Sequence, residues 1–265
     1  MGYTEVKAKK FLGQHFLNNE SIAQDIVAAL LSKCNSNAIV EIGPGMGVLT
    51  KYLIQSKHVL YAIDIDSESV EYLHKKFPNI ADKVLLADFL KLDLIKTFGS
   101  EFSIIGNFPY NISSQIVFKI IEFRNNIPLM AGMFQKEVAE RICAKPGGKD
   151  YGVISVITQL FYNTEYLFTV NEDVFTPPPK VKSGVMRMLR KDLIPKVNEE
   201  LFFKVVKTAF NQRRKKLRNA IQVFGISDAL LMENNYADKR AEQLSVDDFI
   251  VLTNLIENNG SKIEQ

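Results

Sequence analysis

The chain has 265 residues and a net charge of +3, with 46% apolar and 24% charged residues, as is ordinary for a folded globular protein. No stretch is apolar over membrane length, and residues 1–7 lack the apolar core of a signal peptide. The two cysteines, Cys34 and Cys143, lie far apart and form no metal-binding cluster. We therefore expect a cytoplasmic protein with no membrane segment and no metal ion.

Strand-like and helix-like segments alternate along the first part of the chain. The candidate strands are Ala38–Ile42, Val59–Ile63, Val84–Ala87, Phe102–Gly106 and Leu129–Phe134. Helical patterns lie between them at Gly47–Gln55, Glu68–Lys76 and Ser113–Phe123. This alternation predicts an α/β fold with a doubly wound sheet. Residues Tyr151–Phe161 predict a further helix, and Glu165–Val170 with Gly184–Leu189 predict an antiparallel pair that closes the sheet.

The composition changes after the segment Lys191–Pro195, which we interpret as a linker. From Glu199 onward the patterns are helical only, at Leu201–Ala209, Arg213–Phe224 and Val246–Glu257. The sequence therefore predicts a catalytic domain over residues 1–191 and a smaller, all-helical domain over residues 192–265.

Three successive candidate strands end in groups that can bind a ligand. The first leads into a turn with Gly43, Gly45 and Gly47, where the backbone can approach a ligand closely. The second ends at Asp64, whose carboxylate can accept hydrogen bonds from a ribose diol. The third leads into Asp88 and Phe89, a polar and an aromatic residue that can bind the edge and the face of an adenine. A lone strand-end aspartate is usually a solvated residue or a helix cap, so the prediction depends on the succession.

The stretch Asn107-Phe108-Pro109-Tyr110 follows the fourth candidate strand. Open α/β sheets bind their ligands at the carboxyl ends of such strands. Asn107 offers a carbonyl acceptor, Pro109 stiffens the turn, and Tyr110 supplies a flat face for stacking. An ordinary strand-end turn is an equal alternative for this stretch alone. With the preceding strand ends, we interpret it as a clamp for one nucleobase amine.

Residues 204–218 contain seven basic and no acidic side chains. Such a run is most often a solvated helix face. This run has one sign of charge and lies in the predicted helical domain, so we favour contacts with nucleic-acid phosphates.

Several stretches, in this order, resemble the ribosomal RNA adenine dimethyltransferases of the KsgA type. This family belongs to the class I S-adenosylmethionine-dependent methyltransferases, which have a Rossmann-like fold. The matching stretches are residues 10–17, 40–45, 107–113, 174–183 and 209–219. The resemblance therefore covers most of the chain.

The resemblance implies methyl transfer from S-adenosyl-L-methionine, with S-adenosylhomocysteine as product. The implied acceptors are the N6 amines of two adjacent adenosines in the 3′-terminal hairpin loop of 16S ribosomal RNA, modified during small-subunit biogenesis. The implied partner is the small ribosomal subunit, and we expect a monomer.

The resemblance also assigns roles to residues. The implied catalytic residues are Asn107, Phe108, Pro109, Tyr110 and Phe175. The implied cofactor-binding residues are His15, Leu17, Glu41, Gly43, Gly45, Asp64, Asp88 and Asn107. The implied RNA-binding residues are Arg213, Arg214, Lys215, Lys216 and Arg218. Phe175 is expected to stack on the target base, against the alternative that it is a plain core residue.

The chain departs from the common family pattern at three positions. His15 stands where the family commonly has Asn, Asp64 where it has Glu, and Phe108 where it has Leu. Two other functions stay open: a related large-subunit rRNA methyltransferase, and a ribosome-assembly or RNA-binding factor with secondary methylation. The intact Asn107–Tyr110 stretch argues for activity, and the Gln212–Asn219 run resembles the small-subunit group better.

Overall fold

The computed structural model describes residues 6–259. Its strands are β1 Phe16–Leu17, β2 Ala38–Ile42, β3 Val59–Asp64, β4 Val84–Leu86, β5 Phe102–Asn107, β6 Leu129–Gln135, β7 Tyr162–Val170, β8 Phe175–Thr176 and β9 Ser183–Arg190. Its α-helices are α1 Glu20–Leu31, α2 Thr50–Leu53, α3 Ser67–Lys76, α4 Leu94–Phe98, α5 Ser113–Glu122, α6 Lys136–Cys143, α7 Val153–Phe161, α8 Glu199–Asn211, α9 Leu217–Ala220, α10 Asp228–Glu233 and α11 Val246–Asn259.

A seven-stranded mixed sheet, in the order β4-β3-β2-β5-β6-β9-β7, forms the centre of the larger part of the chain. Strands β2 to β6 pair in parallel with their neighbours, whereas β9 runs antiparallel to β6. Every residue of β2 is buried, as expected for a parallel strand covered on both faces. The strand order reverses between β2 and β5, so the loops after these strands flank a crevice where such sheets bind ligands.

The sequence predicted the five parallel strands to within one residue at each end. The two later strand candidates, β7 and β9, are neighbours in the sheet. A helix predicted over Gly47–Gln55 is confined to Thr50–Leu53. The glycine-rich turn before it takes up the first residues, since Gly47 has a left-handed backbone (φ 77°).

The helix predicted over Arg213–Phe224 was too long. Helix α8 ends at Asn211, residues 212–215 form a turn, and α9 begins at Leu217. Beyond the turn, Lys216 and Arg218 both reach the carboxylate of Asp238, at 2.8 and 3.3 Å.

The chain divides into two compact units. The first holds the chain up to Glu140 together with Asn163–Arg190, and the second holds Arg141–Tyr162 together with the chain from Lys191 onward. The predicted domains meet at the same point near Lys191, but they assigned Arg141–Tyr162 to the first domain. Among the described residues after Arg190, all regular secondary structure is helical.

Within residues 6–259, no helix combines the length and apolar character required to span a membrane. The same residues contain no group of three or more His, Cys, Asp or Glu side chains that could hold a metal ion.

Candidate active site

A cavity in the first unit opens at the carboxyl ends of β2, β3 and β5. Its wall is made by the loops after these strands and by the segment that precedes α1. The lining residues are Leu12, Gly13, Gln14, His15, Phe16, Leu17, Glu41, Gly43, Pro44, Gly45, Met46, Val48, Leu49, Asp64, Ile65, Asn107, Phe108, Pro109 and Tyr110. The structure thus brings together the glycine-rich turn, the strand-end Asp64 and the Asn107–Tyr110 stretch.

The glycine-rich turn requires glycine at Gly45 for two reasons. Its backbone is left-handed (φ 53°), and a side-chain carbon there would lie 2.8 Å from the Phe16 ring. The Gly45 N–H donates to Asp64 Oδ2 at 3.3 Å, so the turn is tied to the end of the neighbouring strand β3. Because Gly45 has no side chain, its backbone lines the cavity directly.

Two buried carboxylates, Glu41 and Asp64, line the cavity. Burial raises the pKa of Glu41 to about 8, although Thr50 Oγ1 donates to its carboxylate at 2.7 Å. Burial raises the pKa of Asp64 to about 6, against hydrogen bonds from the backbone N–H groups of Asp66 at 2.9 Å and Gly45. Asp64 also raises the pKa of Glu41. Both carboxylates are poorly solvated, and a ligand with hydroxyl donors or positive charge would stabilise their ionised forms.

The side chain of Asn107 is held in one orientation. Its Nδ2 donates to the His15 carbonyl oxygen at 2.9 Å. A carbonyl only accepts hydrogen bonds, so the amide nitrogen faces His15 and the amide oxygen points away from it. Within residues 6–259, no N–H or O–H group donates a hydrogen bond to that oxygen. Asn107 therefore offers a free, oriented acceptor, as the proposed amine clamp requires.

Tyr110 is partly buried and fixed at both its ring and its hydroxyl. Its ring stacks on His15, with centroids 5.5 Å apart and an interplanar angle of 29°. Its hydroxyl lies 2.5 Å from Ser183 Oγ, and burial raises the pKa of Tyr110. The His15 Nδ1 atom lies 2.7 Å from the Pro177 carbonyl oxygen, so the ring hydrogen is on Nδ1. A family departure at position 15 is thus part of the support for Tyr110.

The departure at Phe108 is accommodated by two glycines. The Phe108 ring lies over Gly106 of β5 and Gly132 of β6, where added side-chain carbons would come within 2.9 and 2.4 Å of it. It also packs on Phe134, with ring centroids 4.6 Å apart. Phe108 is almost fully buried, at 1% exposure, so its side chain anchors the loop to the core of the sheet.

Comparison of the chain with known proteins shows the family to which it belongs. The family model described as ribosomal RNA adenine dimethylase matches residues 5–258. A protein of Flavobacterium johnsoniae, described as ribosomal RNA small subunit methyltransferase A, is 59% identical over 258 residues, which are 97% of this chain and 98% of that protein. The chain belongs to the ribosomal RNA adenine dimethylase family.

Further relatives agree with this assignment. A Cytophaga hutchinsonii protein of the same description is 55% identical and covers 95% of this chain and 98% of its own length. The crystal structure of a Plasmodium falciparum dimethyladenosine transferase has a TM-score of 0.79 at 26% identity, covering 93% of this chain and 99% of that one. The 23S rRNA methyltransferase ErmE shares the fold, with a TM-score of 0.72 at 22% identity over 91% of this chain and 99% of its own. This dimethylase therefore has the class I methyltransferase fold.

Two of the predicted catalytic and cofactor-binding residues of the dimethylase, Phe175 and Asp88, do not line the cavity. Phe175 is 3% exposed, pairs with Leu17 between β8 and β1, and packs in the apolar core. This is the position that the core-packing alternative predicts. Asp88 Oδ1 accepts from the Leu90 N–H at 3.0 Å, and Oδ2 lies 3.6 Å from Lys91 Nζ. The roles predicted for Phe175 in stacking and for Asp88 in adenine binding thus have no geometric support here.

The sequence reasoning missed two features of the cavity wall. Ile65 is 55% exposed although it is apolar, and it lines the cavity directly after Asp64. The second feature is a set of bonds that we call the Asp66 latch, because they hold the segment before α1. Lys9 Nζ pairs with Asp66, Gln14 Nε2 donates to Asp66 Oδ2 at 3.1 Å, and the Lys9 N–H donates to Gln14 Oε1 at 2.8 Å.

The basic residues of the second unit differ in their pairing. Lys216 and Arg218 lie beside Asp238, and Arg213 Nε lies 3.7 Å from Glu242 Oε2. Arg214 and Lys215 are exposed, and neither forms an ion pair with another residue of the described chain. Of the predicted RNA-binding residues, these two are therefore free to meet a phosphate.

Proposed function

We propose that this dimethylase transfers methyl groups from S-adenosyl-L-methionine to the N6 amines of two adjacent adenosines in the 3′-terminal hairpin loop of small-subunit ribosomal RNA. The observation that carries this proposal is the oriented, free amide oxygen of Asn107, a residue of the cavity wall together with Gly43, Gly45 and Asp64. We further propose that it acts in the cytoplasm as a monomer, with the small ribosomal subunit as substrate.

The residues of the cavity fit S-adenosyl-L-methionine. The Gly43–Gly45 backbone would face its methionine part, and Glu41 would supply a negative charge nearby. Asp64 would accept the hydrogen bonds of the ribose, and the exposed Ile65 offers an apolar face to its adenine. When bound, the cofactor supplies an electrophilic methyl group on its sulfonium.

The chain's own contribution is to hold the acceptor amine. The adenine amine is a weak nucleophile because its lone pair is delocalised into the ring. Asn107 Oδ1 and the Phe108 carbonyl would accept its two hydrogens, which favours a pyramidal nitrogen with its lone pair directed at the methyl. Tyr110 would stack on the flipped base, in the ring orientation that His15 and Ser183 hold. Positioning then does most of the catalytic work, without a strong base.

Recognition of the RNA requires a second surface, because every RNA contains adenines and the cavity sees one base. Arg213, Arg214, Lys215, Lys216 and Arg218 support phosphate binding in the second unit. Since Arg213, Lys216 and Arg218 have carboxylate neighbours, Arg214 and Lys215 carry the strongest expectation.

The test of the function is transfer of tritiated methyl groups to small ribosomal subunits that lack the modification. We expect two methyl groups on each of two adjacent adenines, because a monomethylated amine keeps a lone pair and one hydrogen. Mass spectrometry of the digested RNA measures the product, and mapping locates it. Only monomethyladenosine at saturation would contradict dimethylation. Transfer to large subunits instead would favour the large-subunit alternative, and no transfer would favour an assembly factor.

The role of Asp64 is tested by its replacement with alanine. Loss of the carboxylate should weaken cofactor binding by about 1–3 kcal/mol, because ribose hydroxyls would lose a buried acceptor. Titration calorimetry measures this directly. Asp64→Glu keeps the acceptor and restores the residue common in the family, so it should retain most of the affinity. Unchanged affinity in a folded Asp64→Ala protein would remove Asp64 from the cofactor site.

A further inference from the structure

An exposed basic loop in the second unit has no assigned role. It has the sequence Lys145-Pro146-Gly147-Gly148-Lys149, and all five residues are exposed. It contains no acidic side chain, and Asp150, which follows it, is partly buried. Within residues 6–259, neither Lys145 nor Lys149 forms an ion pair or a side-chain hydrogen bond.

The loop is fastened to the basic turn of the same unit. Arg213 Nη2 donates to the Gly148 carbonyl oxygen at 3.1 Å, while Arg213 Nε lies 3.7 Å from Glu242 Oε2. The Gly147 N–H donates to the Glu242 carbonyl oxygen at 2.6 Å. Arg213 therefore joins the loop to Glu242, and it ties the loop to the turn in which Arg214 and Lys215 directly follow it.

The charges near this junction are unequally balanced. Glu242 is only 20% exposed at its side chain and faces Arg213, while Asp238 faces Lys216 and Arg218. Both acidic side chains that pair in this region thus have cationic neighbours. Exposed cations outside these ion pairs lie on both segments, namely Lys145 and Lys149 in the loop and Arg214 and Lys215 in the turn. Arg240, between the two acidic residues, is exposed as well.

We infer that the loop Lys145–Lys149 binds RNA phosphates and forms, with Arg214 and Lys215, a two-sided phosphate-binding surface. This inference rests on the proposed function for the identity of the RNA. Two cationic segments held at a fixed separation select for folded RNA, because phosphates of a single flexible strand do not fix their own spacing. The loop thereby contributes to recognition of the subunit's shape, which phosphate contacts read in RNA.

The test compares Lys145→Gln/Lys149→Gln with a matched control, Lys57→Gln/Lys96→Gln. The control also removes two positive charges, but at exposed positions of the first unit: Lys57 precedes β3 and Lys96 lies in α4. Binding to small subunits that lack the modification is measured by filter binding across a salt series. We expect the loop variant to bind about tenfold more weakly than the control at moderate salt, with a salt dependence reduced by about one to two counterions.

Further measurements separate the possible outcomes. Lys145→Arg/Lys149→Arg should bind as the parent does, and cofactor affinity should be equal in all variants, which shows intact folding. If the loop variant binds like the control while the parent methylates subunits, the loop inference is overturned and the proposed function stands. If the parent binds subunits without methylating them, the proposed function fails and the salt slopes still decide the role of the loop. Absence of binding by the parent overturns both.

Discussion

Replacement of Asn107 by alanine is expected to lower the rate of methyl transfer by about a hundredfold to a thousandfold. The bond from Asn107 Nδ2 to the His15 carbonyl holds the amide oxygen in one orientation, and our proposal is that this oxygen accepts a hydrogen of the substrate amine. Loss of an interaction made in the reacting geometry lowers kcat and kcat/KM together. Single-turnover methyl transfer to small subunits is the measurement, and cofactor affinity is measured beside it.

The matched control is Asn111→Ala. Asn111 is exposed in the same loop region and loses the same atoms, yet it does not line the cavity. Its rate should stay near that of the parent. A parental rate in folded Asn107→Ala would show that the amine is not held by this oxygen, and an equal loss in both variants would point to disturbance of the loop.

Replacement of Glu41 by glutamine is expected to stabilise the free protein and to weaken cofactor binding. The folded-state pKa of Glu41 is raised to about 8 from an ordinary value of 4.5. The unfolded chain therefore releases its proton at lower pH than the folded chain, and the parent loses stability as pH rises from about 4.5 to 8. Glutamine does not titrate, so its advantage should be absent below this window and reach about 2–4 kcal/mol above it.

Thermal unfolding of the free protein at pH 5 and at pH 8.5 measures the first effect, and calorimetry measures the second. At pH 8.5, where Glu41 of the parent is ionised, cofactor binding should weaken by about 1–3 kcal/mol, because a buried anion beside the proposed site of a cationic ligand is lost. Glu71→Gln is the control: Glu71 forms an exposed pair with Lys75 on α3, which solvent screening makes weak. Equal stability of parent and Glu41→Gln at both pH values would mean that Glu41 ionises without cost.

The parts of this site that sequence reasoning found are those whose signal is local. The strand that ends at Asn107 and the turn at Gly43–Gly45 each combine a buried apolar run with a polar or glycine-rich end, and strand ends of a parallel sheet meet at one edge. Their approximate place followed from the alternation of elements alone. The order of strands in the sheet then brought Asp64 to the same cavity.

The parts that it missed depend on contacts between distant segments. Asp66 gives no sign in the sequence that it holds Lys9 and Gln14, because this pairing forms only after the chain folds back. Phe175 has an aromatic side chain that could stack on a base, yet the pairing of β8 with β1 places it in the core. In the basic run, the separation of free from paired cations depends on Asp238 and Glu242, which no periodicity connects with the run.

The Asp66 latch has a consequence for exchange of the bound molecule. The segment from Lys9 to Leu17 forms one side of the cavity, but it belongs to no strand of the seven-stranded sheet. Side-chain bonds with Asp66, Asn107 and Pro177 and the short β1–β8 pairing hold it, and none of these is a backbone pairing with the seven-stranded sheet. We therefore expect spent product to leave by local opening of this segment, without unfolding of the sheet.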